Sequence, residues 1–193
     1  MSNKFRASWS ILNPWAQGNW DRAVKNYFKL DPYISEAMAE GKNYHEEWEA
    51  EIAVTKALPK IMGGKKLKAP SPELKMVAQL EDWLDLVGVI DCYDEPIIYE
   101  FKTGRTSSEV YASSMQPAIY GVLATFNDLL VDRAEIYHYD QHNKKHDMSI
   151  VWLTDKLIKK AHEWVVTYAS EMHHYLETNN LYDTLGGTNV KLD

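Results

Sequence analysis

The sequence predicts an α/β domain built on a central mixed sheet flanked by helices, and three observations carry that reading. Helical and strand-like periodicities replace one another along the chain in the order helices, strands, helix, strands, helix. Two strand-like runs, 84–93 and 97–102, flank a turn at Asp94-Glu95-Pro96, the mark of a hairpin. Near the end, Thr154 precedes a long segment with apolar residues every three or four positions, as in a capped amphipathic helix.

Each element follows in order. Residues 14–28 read as a short helical segment rich in Trp and Tyr. Asp31-Pro32 marks the next helix start, because proline at the first helical position removes a donor that has no partner there. Ile34, Ala37, Met38, Gly41, His45, Trp48 and Ile52 then recur at steps of three and four and fall on one stripe. His45 is therefore expected to point inward, with Gly41 leaving space one turn earlier. Residues 58–72, with Pro-containing turns and Gly63-Gly64, are expected to form a loop. It is no phosphate-binding loop, since Gly63-Gly64-Lys65-Lys66 lacks the spacing and the following Ser or Thr. Strands are expected over 74–83, 84–93 and 97–102. Ser113-Ser114 are positioned to cap a helix reaching about residue 130, with Pro117 in its first turn. Strands over 133–139 and 147–153 enclose a polar loop. The stripe of the last helix is Leu157, Ala161, Trp164, Val165, Tyr168, Met172, Tyr175 and Leu176, and residues 178–193 are expected to be a loosely packed tail.

Composition narrows the classes. A chain of 193 residues suits one domain with one sizeable core. With 45% hydrophobic and 25% charged residues, neither a disordered chain nor a membrane protein is expected. No apolar run is long enough to span a bilayer, and the opening Met1-Ser2-Asn3-Lys4-Phe5-Arg6 lacks the apolar stretch of a signal peptide. Cys92 is the only cysteine, so the expectation is a reducing cytoplasm, no internal disulfide and no four-cysteine metal site. The net charge of −7 weighs against a broad nucleic-acid surface, although the distribution of charge matters more than its sum. Basic residues gather at Lys4, Arg6, Arg22, Lys25 and Lys29, and again at Lys60, Lys65, Lys66 and Lys68; each is read first as part of a solvated face.

The chemistry concentrates in the hairpin. Glu100 and Lys102 lie two apart on a strand and share a face, while Phe101 points to the other with Ile97 and Tyr99. With an even-numbered loop, Asp91 falls opposite the Glu100 face. Two carboxylates and an ammonium then converge, a set that suits phosphodiester hydrolysis. Carboxylates hold a hard divalent cation, and the lysine can orient a nucleophile or offset phosphate charge. The Phe101 backbone carbonyl, between the two side chains, is a further candidate ligand. A bare Glu-x-Lys is more often an ion pair on an exposed strand, but Asp after an apolar run is disfavoured in strands and speaks for a site. Gln116 and Tyr120 share one face of the following helix and are candidates to contact DNA, the alternative being a half-buried helix face. His45 is a candidate nitrogen ligand, the alternative being a hydrogen-bonded core histidine.

In this order, His45 within Gly41-Lys-Asn-Tyr-His45, Asp91 within Gly88-Val-Ile-Asp91, Glu100-Phe-Lys102-Thr-Gly104 and Gln116-Pro-Ala-Ile-Tyr120, the chain resembles the PD-(D/E)XK nuclease superfamily. The nearest branch is the RecB-like exonucleases, which include CRISPR-associated and phage-encoded nucleases. The opening Ser8-Trp-Ser10-Ile-Leu also looks like the usual start, and the match runs from about Ser8 to Leu130. The resemblance implies a restriction-endonuclease-like core and a Mg²⁺- or Mn²⁺-dependent DNA exonuclease of phage or prokaryotic DNA recombination and repair. It implies His45, Asp91 and Glu100 as metal ligands, Lys102 as catalytic residue, and Gln116 and Tyr120 as the supporting motif. Two departures stand out: the family's Pro before the Asp is Ile90, and the cysteines of an iron–sulfur cluster are absent. No helicase motif is present, so any helicase or recombination partner would be a separate protein.

Other arrangements are weaker. His138, His142 and His146 recur at steps of four in a strand–loop–strand region and are read as a solvated loop, while His173-His174 suit the dipole at a helix end. No Gly-x-Ser-x-Gly occurs and Cys92 has no evident catalytic partner. Trp9, Trp15 and Trp20 are core or interface residues by default, with stacking on single-stranded bases as the alternative. Two other functional readings are a non-catalytic DNA- or protein-binding module on the same fold and a structure-selective endonuclease.

Overall fold

A strand has two edges, and the third strand of this protein shares one of them between two neighbours. In the computed structural model, which describes residues 4–30 and 36–185, six strands form one mixed sheet. They are β1 (Phe5–Ala7), β2 (Ser71–Glu81), β3 (Leu84–Asp94), β4 (Ile97–Thr103), β5 (Arg133–Asp140) and β6 (Lys145–Trp152). β2 runs antiparallel along β3 from Ser71↔Tyr93 to Glu81↔Leu84. The other edge of β3 takes β1 in parallel at Leu84–Leu86 and β4 antiparallel at Cys92–Asp94 only. Between them residues 87–91 have no strand partner on that side among the described residues, and the interval ends at Asp91. β4 continues into a parallel ladder with β5, and β6 closes the sheet antiparallel to β5.

The helices are α1 (Trp9–Ala16), α2 (Trp20–Phe28), α3 (Glu36–Thr55), α4 (Ser108–Ala112), α5 (Gln116–Phe126), α6 (Asp155–Thr178) and α7 (Leu181–Thr184). They cover both faces, as the element order predicts. One face of the sheet, with Leu84, Leu86, Ile90, Ile98, Ala134 and Ile136, packs in a core with Ile119 and Leu123 of α5 and Ala161, Val165 and Met172 of α6. The opposite face offers Cys92, Ile97, Tyr99 and Phe101 to Trp48 and Ile52 of α3 and to Leu58, Met62 and Leu67. Each large side chain buried this way contributes roughly 1.5–3 kcal/mol. Gly88 lets α5 approach β3: a Cβ there would lie 2.7 Å from Leu123 Cδ1 and 3.5 Å from Tyr120 Cε1. Gly88→Val is accordingly expected to destabilise the protein by about 1–3 kcal/mol, read as a lower urea midpoint at unchanged slope.

Several elements differ from the expected ones. The segment 14–28 is two helices. Gly18, at φ +75°, lies between them and Asn19 accepts from Arg22 N at 3.3 Å to cap the second. Pro14 lies inside α1, where it cannot donate to the carbonyl of Ser10; the Asn26 side chain of α2 donates to that carbonyl instead, at 2.6 Å. Segment 58–72 is a packed connection rather than an open loop. It holds a 3-10 turn at Lys60–Met62, buries Leu58, Met62 and Leu67, and yields β2 from Ser71. Asp94, expected in a turn, is the buried end of β3 and accepts from Lys68 N at 3.0 Å and Ala69 N at 2.6 Å. α5 begins at Gln116 and ends at Phe126, so Ser113 and Ser114 are the joint between α4 and α5. There Ser114 Oγ donates to Tyr111 O at 2.7 Å and accepts from Gln116 N at 3.3 Å. Thr154 does cap α6, accepting from Leu157 N at 3.3 Å.

The expected start at Asp31-Pro32, Ile34 of the stripe, the side chains of Ala37 and Met38, and the tail beyond residue 185 lie outside the described residues. The earlier part of the expected tail holds α7, whose Tyr182 packs on Tyr27 and Phe28. Among the described residues no helix is long and apolar enough to cross a membrane.

Candidate active site

The interval on β3 is where the functional side chains meet. β3 and β4 separate after the pair Cys92↔Tyr99, and the Asp91 carboxylate takes over: its Oδ2 accepts from Phe101 N at 2.7 Å. Strand alternation is broken at this point, since Ile90 belongs to the core under α5 and α6 while Cys92 belongs to the one under α3. Glu73, opposite Asp91 on β2, has φ +49°, a conformation uncommon for an L residue. Phe101 itself is buried beneath α3 as predicted, with its amide, between Glu100 and Lys102, holding Asp91.

α3 supplies the histidine. Trp48 and Ile52 seat it on the sheet, and Gly41 meets β4 so closely that a Cβ would lie 2.6 Å from Thr103 Oγ1. His45 therefore faces the site, its Nδ1 3.6 Å from Asp91 Oδ1. One turn later on the same side stands Glu49. His45, Glu49 and Asp91 bring donor atoms within 4.8 Å of one another, a cluster able to hold a metal ion. Glu49 is the residue that sequence reasoning missed; its spacing of four from His45 was the available signal.

Glu100, expected as a third ligand, is not a member of this cluster; it is buried nearby and feels the charge of Asp91. Its Oε1 accepts from Lys102 Nζ at 2.5 Å and from Gln116 Nε2 at 2.9 Å, while Oε2 is buried without a hydrogen-bond partner among the described residues. Gln116 Nε2 also donates to Tyr120 OH at 2.8 Å, so both amide hydrogens are engaged within the protein. Gln116 and Tyr120 are themselves buried on α5, which places them behind Glu100. Lys102 is half-buried over the Tyr111 ring, 5.3 Å from its centroid.

Electrostatics follow from this crowding. Burial, then the neighbouring Asp91, push Glu100 up to about 7 against the pull of Lys102. Burial alone would lower Lys102, but Glu100 and Asp91 outweigh it and hold the ammonium above its ordinary value. For His45 burial works downward, but the Asp91 carboxylate 3.6 Å away, with Glu100, outweighs it and raises the imidazole. Burial, with Glu73 and Asp91, raises Glu49. A cation arriving here must displace the Glu100 proton. If Glu100 holds a divalent cation, the affinity for Mn²⁺ is expected to fall as pH drops through about 7 and to level off above it. Isothermal titration between pH 6 and 8 reads this directly.

The remaining candidates separate. His138 is not in a solvated loop. It shares a strand face with Ala134 and Ile136, is buried, and joins Gly104 O at 2.8 Å and Asp147 Oδ1 at 3.1 Å. Asp147 also accepts from Ser108 N at 3.2 Å, so this set ties the β4–α4 connection to β5 and β6. Ser108 Oγ pairs with Ser149, 2.7 Å away, and forms no nucleophile pair with His138. His142 and His146 are exposed. His173 does not serve a helix dipole alone: it stacks on Trp83 and bonds Tyr182 at 2.6 Å. Burial pushes the Cys92 thiol up to about 12, which removes it as a nucleophile at neutral pH. Within the basic groups, Lys4 pairs with Asp85, Lys25 with Asp21 and Lys65 with Glu135. Trp15 is core, Trp20 is exposed beside it, and Trp9 contacts Trp164.

Comparison with known proteins finds likeness in the fold. No protein-family profile and no curated protein sequence matches the chain. The alkaline exonuclease LHK-Exo of Laribacter hongkongensis has a TM-score of 0.59 at 11% identity, over 93% of each chain. Its complex with dAMP scores 0.56 at 9% identity, over 92% of this chain and 93% of that one. A protein of Eubacterium rectale provisionally assigned as an exonuclease scores 0.57 at 10% identity, over 93% of this chain and 82% of that one. The six-stranded sheet with helices on both faces is thus an architecture shared with solved exonucleases.

Proposed function

We propose that the protein is a Mg²⁺- or Mn²⁺-dependent deoxyribonuclease that hydrolyses phosphodiester bonds from DNA ends. The observation that carries this reading is the buried Glu100 carboxylate, with one oxygen shared by Lys102 and Gln116 and the other lacking a donor among the described residues. A buried carboxylate oxygen without a donor is unfavourable unless a cation compensates it, and here Asp91 and His45 stand beside it. The donor set of carboxylates and one imidazole fits such a cation. His45, Asp91 and Glu100 would hold it, with the Phe101 carbonyl as a backbone ligand and Glu49 as an added acid. Bound there, the ion supplies positive charge to the phosphoryl oxygens and makes water more acidic.

The chain's own groups do the rest. Lys102 keeps its proton at neutral pH, so it orients the attacking water and offsets phosphoryl charge rather than acting as a general base. Gln116 is a positioning residue: its amide fixes the Glu100 carboxylate and is fixed in turn by Tyr120. This favours the supporting part of the role expected for that pair over direct contact with DNA. The solved exonucleases of the same architecture support the reading.

The test is incubation of end-labelled linear DNA and closed circular DNA with Mg²⁺, Mn²⁺ or chelator. Degradation of linear DNA with either metal, and intact circles, is expected. An unchanged linear substrate under every metal rejects the nuclease, and cut circles reject the requirement for ends.

A further inference from the structure

Beside Lys102 opens a cleft of about 640 Å³ between α1, α4, α6 and the start of α5. Its walls include Trp9, Tyr111, Trp164 and Tyr168, and Lys102 and Gln116 line the same space. The cleft is therefore continuous with the candidate active site. All four rings are only half-buried, unlike Trp15 and Trp48, which are core residues. Trp9 and Trp164 lie 5.9 Å apart at 34°, and Trp164 and Tyr168 lie 4.8 Å apart at 57°. Neither pair is a parallel stack, so the rings do not consume one another's faces. Asn13 and Gln17, joined at 3.3 Å, add amide groups to the lining.

We propose that this cleft receives an unpaired nucleobase of the strand whose phosphate lies at Lys102. Aromatic rings stack on every base, so such a site is tolerant of sequence and selective for single-stranded over paired nucleotides. The volume suits one small ligand of nucleotide size. An ammonium and aromatic rings lining one cleft match a ligand that carries both a phosphate and a base. The assignment of the phosphate rests on the nuclease reading; that of the base rests on the lining of the cleft.

The experiment measures binding of a fluorescent twelve-nucleotide oligothymidylate by anisotropy, with Ca²⁺ as the cation. The comparison is the same oligonucleotide with abasic units at its last three positions, at one end or the other. Loss of the bases at one end is expected to weaken binding roughly tenfold or more. Trp164→Leu is expected to weaken the full oligonucleotide by a similar factor and to leave the abasic one unchanged, while Trp164→Phe, which keeps a ring, recovers most of the loss. Equal binding of full and abasic oligonucleotides by the unaltered protein overturns the base site, with no variant needed. If DNA is nevertheless degraded with Mg²⁺, the nuclease survives that result. Base-dependent binding without cleavage under Mg²⁺ or Mn²⁺ keeps the base site and rejects the nuclease.

Discussion

Asp91→Asn is expected to slow DNA cleavage by roughly a thousandfold or more while leaving the fold in place. Asparagine keeps an oxygen that can accept from Phe101 N, so the contact between β3 and β4 survives. What disappears is the charge that, in the proposed site, would draw a cation to His45, Glu49 and Glu100. That same charge helps raise Glu100, Glu49 and Tyr120, so its removal relieves repulsion in the metal-free protein, which offsets the attraction to Lys102 and His45 lost with it. Two signs therefore go together: the melting temperature without metal holds or rises, and the increment added by Mn²⁺ vanishes. Single-turnover cleavage and thermal melts with and without Mn²⁺ check both. Full activity in this variant would remove Asp91 from the site.

Lys102→Met is expected to lower kcat by roughly 10²–10³ with little change in KM, the pattern of an interaction made chiefly in the transition state. Methionine keeps the length and much of the packing over Tyr111 but carries no charge. The ammonium also pulls Glu100 downward, so its loss raises that carboxyl further. The activity of the variant should accordingly demand a higher pH, because the Glu100 proton is lost only above its raised value. A pH–rate profile separates this from simple unfolding. Arginine is a poor substitute, since its planar fork does not match the single contact that Lys102 makes with Glu100 Oε1.

Much of this was legible in the chain because it rests on regular periods. The step of two from Glu100 to Lys102 fixed their shared strand, but the three-residue turn expected at Asp94-Glu95-Pro96 left the register open, and it is the pairing of Asp94 with Ile97 that puts Asp91 one step past the last β3–β4 pair. Steps of three and four placed His45 on the same stripe as Trp48, and a step of four joined Gln116 to Tyr120. Features without a period escaped. β1 has three residues and α4 five, too few for any repeat to show. Leu58, Met62 and Leu67 are buried at irregular spacing, so their segment looked like an open loop. His138 was hidden by a spacing of four shared with two exposed histidines, although the alternation Ala134, Ile136, His138 pointed inward. Glu49 looked like one more acid on a helix rich in acids; only the approach of β3 distinguishes it.

The divided border of β3 has a practical consequence. Because β1 and β4 are each seated on their own stretch of that strand, Asp91, the last residue of the interval between them, bears no duty in either of those ladders. Chemistry can be silenced there without loosening the scaffold, and the position-91 amide would make a durable, inert receptor for capturing intact DNA in a crystal.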